Sequence, residues 1–544
     1  MNAVRGVNRR VLMFLGGCVV AAGVALLTSQ SARAVAAVGN CQVAAGVRVD
    51  WSGCDLTGKN LEAANLTGAN LTGANLTGAK LFATNLTGVD LTGAKLTGVD
   101  LGWTNLTSAT LTGVRTGSIT GTPVGLQADL KFISGFLLGP GVDLTGADLT
   151  GVNLTGVNLT NATMTGVKSG SITGTATALP ANWKVVAGYL VGPGTNLANA
   201  NLTNVSLANS NLSSANLTGA NLTGANLTGS DLTGATLAGA TLADAAFKNI
   251  IGTPTSLPAG FKIAGGCLLG PGVDLSGANL TSIDLTGVNF TNATLTNATL
   301  TGATLTNVNL TGVDLTNVKS GTIAGTPTFL PANWKLVSGY LVGPSVNLEW
   351  ATLANANLTN VNLTGARITG ANLTGANLTG ANLSNAEMAR CDWGANLTNA
   401  TLTNANISGA RLMNTNPDVV DKTPPIQNCW NGGMVTLTGV KSGGVLGAGP
   451  STWPTGWGKR LGYLVGPGAN LAGADLTGAT LNNQNLAGAD LTSANLTNAT
   501  LAGANLTSAT LRSATVQGAT KDAATTWTNA TCPNGRVTTG SACW

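Results

Sequence analysis

The sequence has no histidine and few charged or aromatic side chains. Of its 544 residues, 9% are charged and 4% are aromatic, whereas glycine alone fills 75 positions. An ordinary globular domain has about a quarter charged residues, so this composition predicts a low-complexity chain built on a repeat. Histidine is the commonest general base and a frequent metal ligand, and its absence argues against an enzyme.

The N-terminal segment 1–34 has the pattern of an export signal. Three arginines precede an uncharged run over residues 11–27, and Ala32-Arg33-Ala34 fits a small-x-small cleavage site. This order is typical of a bacterial secretory signal peptide, and we expect cleavage near Ala34. Two alternatives stay open. One is a lipoprotein box that ends at Cys18, and the other is an uncleaved anchor, for which the apolar run is short.

The predicted mature chain is almost neutral. The signal segment holds four of the 26 basic residues and none of the 21 acidic ones, which leaves a net charge of about +1. Nucleic-acid binding needs a basic surface, so this balance argues against a nucleic-acid partner. No later stretch is long and apolar enough to span a bilayer. We therefore expect a secreted or envelope-associated protein without a membrane span after cleavage.

A period of five residues runs through the rest of the chain. From Leu56 to Leu111 every fifth residue is leucine, within units such as the Ala-Asn-Leu-Thr-Gly of residues 69–73. The period differs from both 3.6 and 2, so neither an amphipathic helix nor a simple alternating strand explains it. The same period returns, with occasional substitutes for leucine, at Leu144–Met164, Leu197–Leu242, Leu275–Leu315, Leu348–Trp393, Leu397–Leu412 and Leu471–Val516, which makes 60 units.

Each position in the unit has its own chemistry. Leucine and the small residue two positions before it lie on one side of an extended backbone, so both are expected to face a common core. The residue two positions after leucine is mostly Gly, Asn or Ser, which suits the positive φ of the third position in a type II turn. Each unit is thus an extended edge plus a corner. Corners every five residues wind the chain into coils that stack at about 4.8 Å.

This pattern strongly resembles the pentapeptide-repeat family, whose Ala-Asp/Asn-Leu-x-x consensus recurs at residues 69–71 and 147–149. The resemblance implies an all-β fold, a right-handed quadrilateral β-helix with four units per coil. It also implies a lumen filled by Leu and Ala and outer columns of Asn and Thr. The best-known role in the family is inhibition of DNA gyrase by acidic, cytoplasmic dimers that imitate DNA. This chain is neutral and carries an export signal, so that role is not carried over.

Five copies of a second motif interrupt the repeat. In four copies the flanking leucine-column residues are 33 positions apart, as from Leu111 to Leu144, and in the fifth they are 34 apart. We expect a widened coil with a loop. Exposed Trp and Tyr side chains often carry recognition, which makes binding candidates of Trp183, Tyr189, Trp334, Tyr340, Trp457 and Tyr463. Because other copies have Leu130 and Cys267 at these positions, packing of the loop against the coil is the favoured interpretation.

Seven of the eight cysteines follow the signal segment. In an exported protein, closely spaced pairs at the chain ends predict disulfides. The candidate pairs are Cys41 with Cys54, Cys532 with Cys543 and, around the least regular stretch, Cys391 with Cys429. Cys267 is left over and is expected to be a small apolar substitute for tyrosine. No C-x-x-C spacing supports a metal site.

These patterns predict the organisation of the chain. After the signal peptide (1–34) comes an N-terminal cap (35–54), and a C-terminal cap (521–544) closes the other end. Between the caps lie repeat arrays at 55–115, 143–168, 196–246, 274–319, 347–415 (with a register slip) and 470–520, inserts at 116–142, 169–195, 247–273, 320–346 and 437–469, and an irregular segment at 416–436.

The function that this organisation predicts is that of a non-enzymatic scaffold or interaction protein in the cell envelope or medium. No catalytic, cofactor-binding or metal-binding residue is expected, and the expected partner is a protein or an envelope polysaccharide. Solenoids usually act through extended surfaces. The alternative is a regular ligand, a cell-wall polysaccharide or ice, bound by the Asn and Thr columns or by the insert aromatics.

Overall fold

The computed structural model describes residues 39–390, 393–394, 402, 405–407, 437–445 and 454–544. The predicted signal peptide, the Cys391–Cys429 pair and the irregular segment 416–436 lie outside these residues. In the described part of the chain, the structure has no helix that could cross a lipid bilayer.

The repeat forms coils of four units each. The residue before each leucine pairs by a parallel bridge with the residue four units later, as Asn70 does with Asp90. The amide of Leu71 donates to the carbonyl of Asp90 at 2.8 Å, and the amide of Asp90 donates to the carbonyl of Ala69 at 3.0 Å. The expected four-sided coil is therefore confirmed.

Many corners are held by the side chain of the Asn or Asp that precedes them. At one corner the amide of Ala69 donates to the carbonyl of Leu66 at 2.9 Å, and Gly68 has a φ of 64°. The Oδ1 of Asn65 accepts hydrogen bonds from the amide of Thr67 at 3.2 Å and from its hydroxyl at 2.6 Å. An Asn or Asp side chain that accepts from the backbone two residues on stabilises a turn locally. The column of Asn and Asp therefore shapes the corners.

The described residues form two compact units. The first contains the described chain up to Ala147 together with Val152–Met164 and Thr173–Ala181, and the second contains Asp148–Gly151, Thr165–Ile172 and Asn182–Trp544. In both units the leucine column is buried against the small-residue column, for example Leu71 with Ala74 in the first and Leu222 with Ala225 in the second, all at 0% exposure. The lumen is thus a packed hydrophobic core.

The strands are short and pair as antiparallel hairpins. Those with at least three residues per strand occur in the five copies of the second motif and near the C-terminus. The pairs are β1 Lys131–Ile133 with β2 Phe136–Leu138, β3 Lys184–Val186 with β4 Tyr189–Val191, β5 Lys262–Ala264 with β6 Cys267–Leu269, β7 Lys335–Val337 with β8 Tyr340–Val342, β9 Ala389–Arg390 with β10 Trp393–Gly394, β11 Gly458–Arg460 with β12 Tyr463–Val465, and β13 Thr528–Thr531 with β14 Val537–Thr539.

A hairpin replaces one side of its coil. In the coil that starts at Lys319, two further sides bridge at Ala324 and Phe329, the β7–β8 hairpin follows, and the chain returns at Asn347. Asn347 bridges Lys319, so the coil is eight residues longer than usual and its columns stay in register. Leu341 and Val342 of β8 are fully buried, which closes the lumen on that side.

The end coils carry a tryptophan in the leucine column. Trp51 is 0% exposed and follows Asp50, which bridges Asn70, so the coil begins one unit before Leu56 and takes in part of the predicted cap 35–54. Trp527 is 2% exposed near the other end. Both predicted terminal disulfides are present, with Cα–Cα distances of 5.6 Å for Cys41–Cys54 and 5.1 Å for Cys532–Cys543.

Candidate functional site

The tryptophans proposed as binding residues lie half-buried against their own hairpins. A Cβ atom placed on Gly192 would overlap the ring of Trp183. The same relation holds for Trp334 with Gly343 and for Trp457 with Gly466, and it holds for Phe261 with Gly270 and Leu130 with Gly139 in the other copies. In each copy a bulky side chain therefore covers the glycine that follows the second strand of the hairpin.

The tyrosines proposed as binding residues bond to the coil. The hydroxyl of Tyr189 accepts a hydrogen bond from the amide of Asn201 at 3.2 Å. Tyr340 accepts from the amide of Thr352 at 3.0 Å, and Tyr463 accepts from the amide of Asp475 at 3.0 Å. Each partner lies 12 positions downstream. The structure thus places all six candidates in contact with their own chain, and their role in binding stays a prediction.

Lysines and buried serines attach the hairpins further. In β1, β3, β5 and β7 the first residue is a lysine whose Nζ donates to a carbonyl 24 positions later, at 2.9–3.3 Å. Beneath β8, the amide of Leu341 donates to the hydroxyl oxygen of Ser320 at 2.9 Å. The amide of Ile323 donates to the carbonyl of Gly339 in the hairpin turn at 3.0 Å. The hairpins are therefore fixed parts of the surface.

Many threonines of the outer columns use their hydroxyl protons within their own unit. Thr77 donates to Oδ1 of Asn75 at 2.6 Å, and Thr150 donates in the same way to Asp148. The hydroxyl and the amide of Thr150 hold the pKa of the Asp148 carboxyl below its usual range. A regular ligand on these columns would meet hydroxyls whose protons are already donated.

A cleft in the first unit is lined by residues of the first repeat array and of the start of the first insert, and none of them is among the predicted binding residues. Its volume is about 530 Å³, and its lining comes from three successive coils. Phe82 is 45% exposed and Trp103 is 70% exposed, and they form its aromatic wall. Asp100, Gly102, Thr120, Gly121, Thr122 and Val124 complete it. This site, called the aromatic cleft below, is the candidate functional site.

Trp103 occupies an unfavourable position. It lies at the corner position that Gly or Asn usually fills, and its φ is 56°. A left-handed backbone costs a residue with a Cβ atom about 1–2 kcal/mol, and large side chains rarely adopt it. A tryptophan that is also 70% exposed gains little from burial in return. Many other corners hold a non-glycine residue at a similar φ, mostly Asn or Ser, so the large exposed ring is what distinguishes Trp103.

Gly102 makes room for Phe82. The two residues lie on adjacent coils, where the amide of Ala83 donates to the carbonyl of Gly102 at 2.8 Å. A Cβ on Gly102 would lie 2.9 Å from Cδ2 of the Phe82 ring. Threonine is the usual residue at this position of the unit, and its side chain would push the ring away. A large side chain in one coil is thus matched by a glycine in the next coil, which leaves space for the ring.

The lining of the cleft also has polar side chains. The Oδ1 of Asp100 accepts a hydrogen bond from the amide of Gly102 at 2.9 Å, and Thr120 and Thr122 are exposed beside it. Val124 bridges Asn105, so the stretch of chain between them is one residue shorter than an ordinary coil. The shortened coil puts an apolar side chain in the column that Asn or Asp usually fills.

The spacing of the repeat contains the signal for this site. Phe82 and Trp103 are aromatic residues inside a repeat array, whereas the predicted binding aromatics lie in the inserts. Only the four-unit coil brings Phe82 beside Gly102, so the site becomes visible once the coil length is applied to the irregular positions. Trp350 is a second corner tryptophan, with a φ of 64° and 55% exposure, and its ring lies on Gly370 of the next coil.

Cys267 and the carboxylates form no metal centre in the part of the chain that the structure describes. Cys267 lies buried in β6, and burial raises the pKa of its thiol.

Comparisons with known proteins agree with the coil geometry. A family model described as "Pentapeptide repeats (8 copies)" matches more than half of the chain, and a search of curated proteins found no significant match. The matches cover residues 48–81, 84–115, 140–168, 194–229, 215–251, 274–312, 347–385, 393–416, 468–501 and 489–520.

Several solved structures are similar to this chain. HetL, a pentapeptide repeat protein involved in heterocyst differentiation regulation in Nostoc sp. strain PCC 7120, has 22% identity, with 63% of this chain and 91% of that chain covered and a TM-score of 0.10. Full-length QnrB1, a plasmid-mediated fluoroquinolone resistance protein, has 16% identity, coverage of 54% and 91%, and a TM-score of 0.15. A pentapeptide repeat protein from the Arabidopsis thaliana thylakoid lumen has 17% identity, coverage of 37% and 66%, and a TM-score of 0.11. At these TM-scores, the fold assignment rests on the repeat matches and the bridges between successive coils.

Proposed function

The chain belongs to the pentapeptide-repeat family, and we propose that it is an exported, non-enzymatic interaction protein that binds an envelope component through the aromatic cleft. The observation that carries the proposal is the pair of exposed rings, Phe82 and Trp103, in a cleft of about 530 Å³. Exposed apolar groups gathered in one concave place mark interaction sites in soluble proteins.

The terminal disulfides support export. Cys41–Cys54 and Cys532–Cys543 are both formed, and disulfides persist in oxidising compartments outside the bacterial cytosol. The basic, apolar and small-residue order of segment 1–34 predicts the same destination. The proposed location is therefore the cell envelope or the medium.

The packed lumen supports a surface role. Leucine and alanine fill the interior of both units, so a partner meets the outside of the coils. A β-helix holds its outer side chains on a backbone with hydrogen bonds on both sides. Such a scaffold positions a binding group with little loss of conformational entropy, which is the property that an interaction protein needs.

The alternative of a regular ligand on the Asn and Thr columns has less support. Thr77 and its equivalents donate their hydroxyl protons to the neighbouring Asn or Asp, which reduces the hydrogen-bond donors that ice or a polysaccharide lattice would meet. The columns of Asn and Thr arise directly from the repeat. The aromatic cleft departs from the repeat at Phe82, Gly102 and Trp103 together.

Co-sedimentation of the full chain with the insoluble envelope fraction of its source organism tests the proposal. Trp103→Asn places the usual corner residue in the cleft, and Trp350→Asn is the matched control at an equivalent, exposed corner. We expect saturable binding that Trp103→Asn weakens by about 30-fold, as for an aromatic anchor worth about 2 kcal/mol. Trp350→Asn should leave it unchanged. Equal binding by the Trp103 variant, or no binding by the wild type, contradicts the proposal.

A further inference from the structure

We infer that the ligand of the aromatic cleft is a neutral polysaccharide, held by one pyranose ring against Trp103 and Phe82. This inference rests on the proposed function, because it names the chemistry of the partner at the same site. Three features support it: the faces of the rings, the carboxylate in the lining and the open form of the cleft.

The rings provide the apolar contact. The face of an aromatic ring is the negative side of its quadrupole, and it attracts groups with a positive edge. A pyranose presents such groups as the C–H bonds on its flatter face, with hydroxyls around its rim. Trp103 is exposed over most of its surface, and the space over Gly102 leaves the neighbouring Phe82 ring in place. Rigid aromatic side chains also lose little conformational entropy on binding.

The carboxylate of Asp100 determines which hydrogen-bonding groups and which charge the ligand needs. Asp100 is the charged residue in the cleft lining, and its Oδ1 already accepts from the amide of Gly102. A carboxylate offers about four acceptor positions and no donor, so a complementary ligand brings hydrogen-bond donors. Hydroxyl groups of a sugar fit this requirement, and hydrogen bonds to a carboxylate are stronger than neutral ones. Anionic ligands are disfavoured, because the negative charge of the carboxylate repels them.

The form of the cleft favours a polymer. Its lining spans three coils, from Phe82 through Gly102 to Thr122, over a distance of about 10 Å at the usual spacing of strands. The side chains on this path are exposed, and the hydroxyls of Thr120 and Thr122 can donate and accept. A ligand that enters such a surface cleft remains exposed at its ends. A sugar chain can continue along the surface of the coils beyond the cleft.

Isothermal titration calorimetry of the full chain tests the inference with two soluble probes, cellohexaose and N-acetylchitohexaose. We expect saturable binding of at least one probe. Trp103→Asn should weaken it by about 30-fold and Trp350→Asn should not change it. Asp100→Asn keeps the acceptor for the amide of Gly102 and removes the charge, and we expect a loss of about ten-fold. Thermal unfolding of each variant shows that the fold is kept.

The outcomes separate this inference from the proposed function. Envelope binding that depends on Trp103, without binding of either oligosaccharide, keeps the site and overturns the polysaccharide. Choline is a third probe, because aromatic rings beside a carboxylate also suit a quaternary ammonium ion. Choline binding that exceeds oligosaccharide binding overturns the inference as well. Oligosaccharide binding that is equal in the wild type and in Trp103→Asn places the sugar elsewhere and likewise refutes it.

Discussion

Removal of the Cys41–Cys54 disulfide is expected to open the first coil and leave the rest of the chain folded. The bond closes a loop with a sequence separation of 13, and Trp51 lies inside that loop. Trp51 fills the leucine column of the first coil, and its Nε1 donates to the carbonyl of Val43 at 3.2 Å. The cap and the first coil therefore fold as one element.

The size of the effect follows from the loop length. In the chain-entropy model, closing a loop of this length stabilises the folded state by about 3 kcal/mol. The double substitution Cys41→Ala and Cys54→Ala isolates this contribution, because Cys54 lies in the column where alanine is common, as at Ala69 and Ala74. Repeats in a solenoid contact mainly their neighbours, so the lost free energy should act on the terminal coil alone.

Hydrogen exchange measured by mass spectrometry is the assay. We expect amides of residues 49–61 to exchange about 100-fold faster in the double variant, since each step of about 1.4 kcal/mol is tenfold. Residues 200–227 in the second unit serve as the internal control and should not change. The matched variant Cys532→Ala and Cys543→Ala should accelerate exchange near Trp527 only. An acceleration below about tenfold at residues 49–61, or equal acceleration at both ends, would show that the disulfide does not stabilise the first coil locally.

Two further predictions concern titratable groups. Hydrogen bonds from threonines at the corners lower the pKa of Asp90, Asp148 and Asp314, so the unfolded chain binds protons more readily, and the unfolding temperature should fall as the pH drops below about 4. Circular dichroism melts at several pH values check this, and Asp314→Asn should reduce the slope. Burial raises the pKa of the Cys267 thiol, so iodoacetamide should modify it only after unfolding. Rapid labelling of Cys267 itself in the native protein, located by mass spectrometry of its peptide, would contradict its burial.

The sequence was sufficient to predict the repeat geometry. Each corner is a local structure, because Asn65, Thr67 and Gly68 make its hydrogen bonds and its positive φ within one short stretch of chain. The terminal disulfides were also predictable, since their cysteines are close in sequence. The hairpins were predicted only as loops in a widened coil, because the motif spacing gives the extra length and says nothing of strand pairing.

The aromatic cleft could not be derived from single units. Phe82, Gly102 and Thr122 are far apart in sequence and become neighbours only when three coils stack. By contrast, Trp51 lies five positions before Leu56 and its unit ends at Gly53, so the period itself extends the first array to it. The information for the cleft lies in contacts between coils. A five-residue pattern describes positions within a unit and therefore misses them.

The columns of the coil stay in register across each hairpin, so the number of units between two hairpins determines the direction in which the second one points. The β5–β6 hairpin ends just before Asp274, and the β7–β8 hairpin ends just before Asn347, whose column includes Asn279, one unit after Asp274. The nine units between them turn the second hairpin by a quarter turn about the coil axis. The ten units between β3–β4 and β5–β6 give a half turn.

Between β3–β4 and β7–β8, the number of units in an array, divided by four, therefore sets the angle at which the next hairpin leaves the coil. Deletion or duplication of a single five-residue unit between β5–β6 and β7–β8 would rotate the second hairpin by a quarter turn relative to the first and leave the type of each corner and bridge unchanged. Gain or loss of four units would change only the distance between hairpins. The repeat thus allows direction and spacing to vary independently through small insertions and deletions.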